Sequence, residues 1–181
     1  MKTRLLKISA YLLLSFLITN LIACDSDDDL QVVVPVTNVF CYGPDSTSTF
    51  ETRAAFNNDV IEEANNVFRT TAFLTDGNIT ADSNGALQGA GVLMDVVLYG
   101  NQEINFQSGT YLIDGSQDVG RAFISYDIDF DSNSTDNRGI RLVSGNVKVR
   151  PYLTGFAIEI DGVDINGDRF HGIFLGNITE I

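Results

Sequence analysis

The stretch Arg121-Ala-Phe-Ile-Ser-Tyr-Asp-Ile-Asp-Phe-Asp131 carries the plainest structural signal in the chain. Ala122, Ile124, Tyr126, Ile128 and Phe130 recur at every second position, and Ser125, Asp127, Asp129 and Asp131 fill the alternate ones. Side chains of a strand point to opposite faces in turn, so the pattern predicts a strand packed on one face and wet on the other. A helix would need apolar spacings of three and four.

The same grammar extends both ways. Arg141–Arg150 places Val143, Val147 and Val149 against Ser144, Asn146, Lys148 and Arg150, and Pro151 is expected to end that strand. Tyr152–Asp161 and Arg169–Ile178 follow, joined by 162–168, where Asn166-Gly167 predicts a tight turn. In the last of these, Gly172 and Gly176 alternate with Phe170 and Phe174, which marks places where a ring or backbone comes close. Upstream, Val67–Leu74, Ala90–Tyr99, Ile104–Phe106 and the segment from Gly109 read as further strands. Between Phe50 and Phe68 the apolar residues Phe50, Ala54, Ile61, Ala64 and Phe68 approximate a helical face, so a short N-terminal helix is expected there. Seven or more strands with short connections predict an all-β fold: an antiparallel β-sandwich or a small up-and-down, calycin-like β-barrel.

The N-terminus has a different character. Lys2, Arg4 and Lys7 precede an apolar run from Ile8 to Leu21, too short for an ordinary spanning helix, and an acidic cluster follows at Asp25-Ser-Asp-Asp-Asp29. The four residues Leu21-Ile22-Ala23-Cys24 resemble the lipobox of bacterial lipoproteins. That resemblance implies a signal peptide over 1–23, a diacylglyceryl thioether on Cys24, and cleavage before it. The expected organisation is then a lipidated tether over 24–37 and a single β-domain over 38–181. One acyl chain gives reversible membrane binding and two give a durable anchor. Consumption of Cys24 by lipid would leave Cys41 with no disulfide partner in the chain, which argues against a disulfide scaffold.

Without residues 1–23 the chain keeps eight basic and all 24 acidic residues, a formal charge of −16. Such a surface is repelled by phosphate backbones, so nucleic acid is not an expected partner. The expected partners are the membrane, through the N-terminal lipid, and a glycan or envelope protein outside it.

A second resemblance covers about residues 88–181. Gly109-Thr-Tyr111, Val143-Ser-Gly145-Asn-Val-Lys-Val149, Gly155-Phe-Ala-Ile-Glu-Ile-Asp161 and Asn166-Gly-Asp-Arg-Phe-His-Gly172-Ile-Phe-Leu-Gly176 follow one another in a pattern similar to β-modules of Bacteroidetes surface lipoproteins of unassigned function. The acidic run after Cys24 is also similar to the surface-export signal of that phylum. Together these imply an outer-membrane lipoprotein facing the cell surface, whereas in enterobacteria Asp25 directly after the cysteine would instead imply retention at the inner membrane. In that setting Asp45-Ser46-Thr47 resembles an O-glycosylation motif.

Candidate chemistry concentrates on few residues. Asp127, Asp129 and Asp131, roughly 7 Å apart in succession on one strand face, could gather oxygen ligands for calcium with Asn133 and Asp136. The same carboxylates could serve glycoside hydrolysis, and the bland alternative is a wet face that discourages edge pairing. Asp161, Asp164, Asn166 and Asp168 have the look of a calcium loop, but the spacing and closing Glu of an EF-hand are missing, and a hairpin is the better reading. His171 is the sole histidine, which excludes a multi-histidine zinc site. No catalytic residue and no cofactor beyond that calcium is assigned. With no Trp in the chain, Tyr99, Tyr111, Tyr126 and Tyr152 are the rings that could stack on a glycan. The expected function is a non-catalytic, lipid-anchored β-domain for binding or scaffolding. The alternatives are a lipocalin-like carrier of an apolar molecule, distinguished by a large lined cavity, and a glycan hydrolase.

Overall fold

The computed structural model describes residues 38–63, 66–135 and 139–181. The expected signal peptide and tether, and Asp136 of the calcium set, lie outside these residues. Among the described residues fourteen strands occur in chain order: β1 (Val39–Tyr42), β2 (Ser48–Glu51), β3 (Ala54–Asn57), β4 (Ile61–Glu62), β5 (Phe68–Thr75), β6 (Thr80–Ala81), β7 (Leu87–Gln88), β8 (Ala90–Gly100), β9 (Gly109–Ile113), β10 (Arg121–Asp131), β11 (Ile140–Tyr152), β12 (Gly155–Asp164), β13 (Arg169–Gly176) and β14 (Thr179–Glu180). The fold is all-β. Twelve strands form one sheet in the order β14-β3-β5-β8-β10-β9-β11-β12-β13-β1-β2, with β4 on β5, and β6–β7 form a separate small ribbon. Pairing is antiparallel except at β9–β10 and β3–β14.

The sheet is curled into a half-barrel by its side chains. Tyr126 on β10 and Tyr42 on β1 are four strands apart through β11, β12 and β13. In a flat sheet that is roughly 19 Å, yet their ring centroids are 5.5 Å apart. Phe40, Phe50 and Phe170 join the same cluster, with Tyr126 4.8 Å from Phe170. Around it Leu74, Met94, Val96, Leu98, Ile124 and Ile158 are almost wholly buried, so side chains fill the concave face.

Strand β10 runs from Arg121 to Asp131 as the alternation predicts, but its two faces do not stay fixed. Ala122, Ile124 and Tyr126 are buried, and Ile128 is exposed. The cause is a bulge: Asp127 pairs with Leu93 and Phe130 with Gly91, one extra residue on β10. A second bulge between Leu142 and Ser144 on β11 moves the buried positions from Leu142 to Val147 and Val149, and Val143 faces solvent. Gly145, at φ +127°, completes that bulge; a Cβ there would stand 2.3 Å from the Asp161 carbonyl oxygen.

Three local expectations are corrected. The segment expected to hold a short helix forms β2, β3 and β4, with Phe50, Ala55 and Asn57 buried as strand positions. A 3.6-residue face gains nothing where a sheet edge offers backbone partners, and β5 takes up Ala54–Asn57 in full register. Ile104–Phe106 is a turn-rich loop whose Phe106, at φ +50°, drives its ring onto Phe156. Pro151 does not end β11, because it pairs with Phe156 one step from the hairpin tip, where a missing N–H is tolerated.

Gly172 meets its expectation. A Cβ there would lie 2.5 Å from both the Phe40 ring and the Val39 carbonyl oxygen. Gly172→Ala should therefore lower the unfolding free energy by about 1–3 kcal/mol through overpacking, read from the urea midpoint at constant slope. An unchanged midpoint would mean that β1 does not seat on β13 as described.

Candidate functional site

The carboxylates singled out on β10 are separated by the bulge. Asp127 Oδ1 accepts the Asp129 backbone N–H at 3.0 Å, closing a local turn. Asp131 Oδ1 accepts the Asn133 backbone N–H at 2.9 Å and its side-chain Nδ2 at 3.2 Å. These carboxylates shape the chain at the end of β10. Among the described residues no group of three or more His, Cys, Asp or Glu stands where it could hold a metal ion. The structure therefore does not bring Asp127, Asp129 and Asp131 together as a calcium cradle, because the extra residue breaks the period-two spacing on which that reading depends.

A different carboxylate neighbours Asp127. Asp95 lies mid-β8 opposite Ser125, whose hydroxyl donates to its Oδ2 at 3.2 Å. Its Oδ1 is shut off from solvent with no partner. Burial pushes the Asp95 carboxyl above the ordinary carboxylate range; the Ser125 hydrogen bond opposes this and the Asp127 charge adds to it. The signal for Asp95 is a lone acid within the apolar run Val92–Tyr99. Beside this cluster, Asp114, Phe123, Arg141 and Val143 line a shallow pocket of about 50 Å³ between β9, β10 and β11. That holds little more than a water molecule or two.

The 162–168 connection is the tight turn expected, and it has one unforeseen feature. Asp164 is 2% exposed. Its Oδ1 accepts the backbone N–H groups of Asn166 at 2.8 Å and Asp168 at 3.0 Å. Its Oδ2 accepts the Tyr126 hydroxyl at 2.9 Å. The carboxylate thus organises the β12–β13 turn and ties it to β10. Burial first, then the Asp164 hydrogen bond and charge, raise the Tyr126 phenol well above its usual range.

His171 on β13 pairs with Cys41 on one side and Asp161 on the other. Its Nδ1 is buried without a partner. Burial, with the Arg169 charge, lowers its pKa, and Asp161, ion-paired to Arg169 at 3.3 Å, works against that. Cys41 is not a free thiol, which corrects the expectation of a cysteine with no partner. Ser46 is buried with its hydroxyl donating to the Arg169 carbonyl at 3.3 Å, so the folded chain does not offer it for glycosylation.

Of the four tyrosines proposed for glycan stacking, Tyr99, Tyr111 and Tyr126 are buried in the sheet and Tyr152 alone is well exposed. Comparison with protein families, with curated proteins and with solved structures finds no match.

The unpartnered Asp95 oxygen gives a test with a definite sign. A carboxyl whose pKa is raised by folding contributes stability below its unfolded value, and that contribution is lost as pH rises through the folded value. Asp95→Asn removes the loss while keeping the Ser125 contact. The variant should be more stable than the parent at neutral pH, with the gain vanishing towards about pH 4. A variant less stable at pH 7 would show that the Asp95 charge is compensated in the fold.

Proposed function

We propose that this chain is a lipid-anchored envelope lipoprotein whose β-domain works by its surface, as a binding or scaffolding module displayed on the outer membrane. The leader pattern of residues 1–23 and the Leu21-Ile22-Ala23-Cys24 lipobox support the anchor. The filled concave face carries the choice among modes of action. Phe40, Phe50, Tyr126 and Phe170 occupy the space in which a carrier would hold its cargo, and they do so at 0–7% exposure. A drug-sized ligand site needs roughly 300–1,000 Å³, and recognition by this domain is therefore assigned to its outer surface and loops. The hydrolase reading gains no support from Asp127 and Asp129, since the first is spent on the backbone of the second.

Cys24 has two competing fates. A thioether to lipid removes the thiol that a disulfide to Cys41 would need, and the sequence holds only these two cysteines. Intact-mass analysis of the protein extracted from bacterial membranes separates them. The expected product lacks residues 1–23, carries acyl mass on Cys24 and partitions into detergent. Cys24→Ser should move the protein to the soluble fraction or leave it as uncut precursor. A full-length chain with an unmodified Cys24 bridged to Cys41 would overturn the proposal.

A further inference from the structure

The hairpin tip between β11 and β12 is unlike the rest of this acidic surface. From Asn146 to Ile158 the chain carries Lys148 and Arg150 and no acid. Both cations share the single carboxylate of Glu159, at 3.6 and 2.9 Å, so the β11–β12 hairpin end by itself carries one cation more than acid in a chain of strongly negative charge. At the tip Leu153 is 89% exposed and Tyr152 40%. Leu153 also holds a left-handed backbone, φ +49°, where asparagine or glycine would sit with less strain. The loop before β9 reaches the same place, because Phe106 packs edge-on against Phe156 at 5.2 Å. That loop adds Ile104, 47% exposed, with Glu103 beside it.

The tip also lies where the described chain begins. Asn38 is bonded to both backbone groups of Leu175: its Nδ2 donates to the carbonyl at 3.2 Å and its Oδ1 accepts the N–H at 2.6 Å. Two residues on, the Asn177 side chain bonds Thr154 in the tip at 3.0 Å. The thirteen residues between Cys24 and Asn38 can reach at most roughly 45 Å, and much less unless fully drawn out. The acidic turn at Asp164 and Asp168 lies at the opposite end of β12, ten residues or roughly 30 Å away.

We propose that the Tyr152-Leu153 tip, with Ile104, is a membrane-facing surface that enters the bilayer interface and holds the domain upright on its anchor, acidic turn outward. Apolar side chains with a tyrosine and flanking cations are the composition that the headgroup region favours. This inference rests on the lipoprotein reading.

The absence of Trp from the chain provides the probe. Leu153→Trp and Ile165→Trp, the latter 63% exposed at the acidic turn, each place one tryptophan in the protein as extracted from membranes, which is then reconstituted in phosphatidylethanolamine–phosphatidylglycerol vesicles. Flotation reports the anchor, and quenching by brominated lipid reports contact with the bilayer. Leu153→Trp should emit to the blue of Ile165→Trp and be quenched several-fold more strongly. A protein that floats with both tryptophans equally unquenched overturns this orientation and leaves the anchor standing. A protein that neither floats nor shows quenching at residue 153 overturns both. Quenching at residue 153 without flotation supports the membrane face and overturns the anchor.

Discussion

The hydrogen bond from the Tyr126 hydroxyl to Asp164 sits where the fold has least room for an alternative. Tyr126 is buried among Tyr42, Phe50 and Phe170, and Asp164 is buried within its own turn. Neither polar group can turn to water, so each depends on the other, and an unmade partner would cost about 1–3 kcal/mol. The bond joins β10 to the β12–β13 turn across the concave face. The rings packed on Tyr126 then bring in β1, β2 and β13. One polar contact and five aromatic rings thus convert a long sheet, which could remain open, into a curled one with a closed interior.

The curl decides what the domain can do. By filling the concave face, the aromatic rings occupy the space that a carrier would use. The outer surface is uneven in charge. Carboxylates gather around the end of β10 and, at Asp161 and Asp168, beside the buried Asp164, while the β11–β12 tip carries cations and exposed apolar groups. The two ends of β12 thus differ in character, and the proposed membrane orientation rests on that difference.

Much of this was legible in the residues. The alternation from Arg121 to Asp131 gives β10 with its bounds, Asn166-Gly167 gives the turn, and Gly172 gives the close approach of β1. The failures share a cause. Period-two reasoning assumes an unbroken ladder, and a bulge is a property of the pairing, invisible in one strand read alone. That is why Ile128 and Val143 emerge on the wet side and why the three aspartates do not converge. Phe50–Phe68 misled for a similar reason: its apolar spacing suits a weak helix, and the edge of β5 that captures it belongs to a different part of the sequence. Asp164 reads in the sequence as one of three acids and an asparagine in a loop, but its burial depends on Tyr126, 38 residues earlier. Asp95 is absent from that reading, and its one signal is an acid out of place among apolar neighbours.

The dependence of the curl on one buried pair is open to direct measurement by a double-mutant cycle. Tyr126→Phe, Asp164→Ala and the double variant would be compared by equilibrium unfolding. If the pair acts as described, each single variant is strongly destabilised and the double costs less than their sum, with a coupling energy on the order of 1–3 kcal/mol. Additive losses, with coupling near zero, would show that the two groups stabilise the domain separately, and the account of how the sheet is held curled would fail.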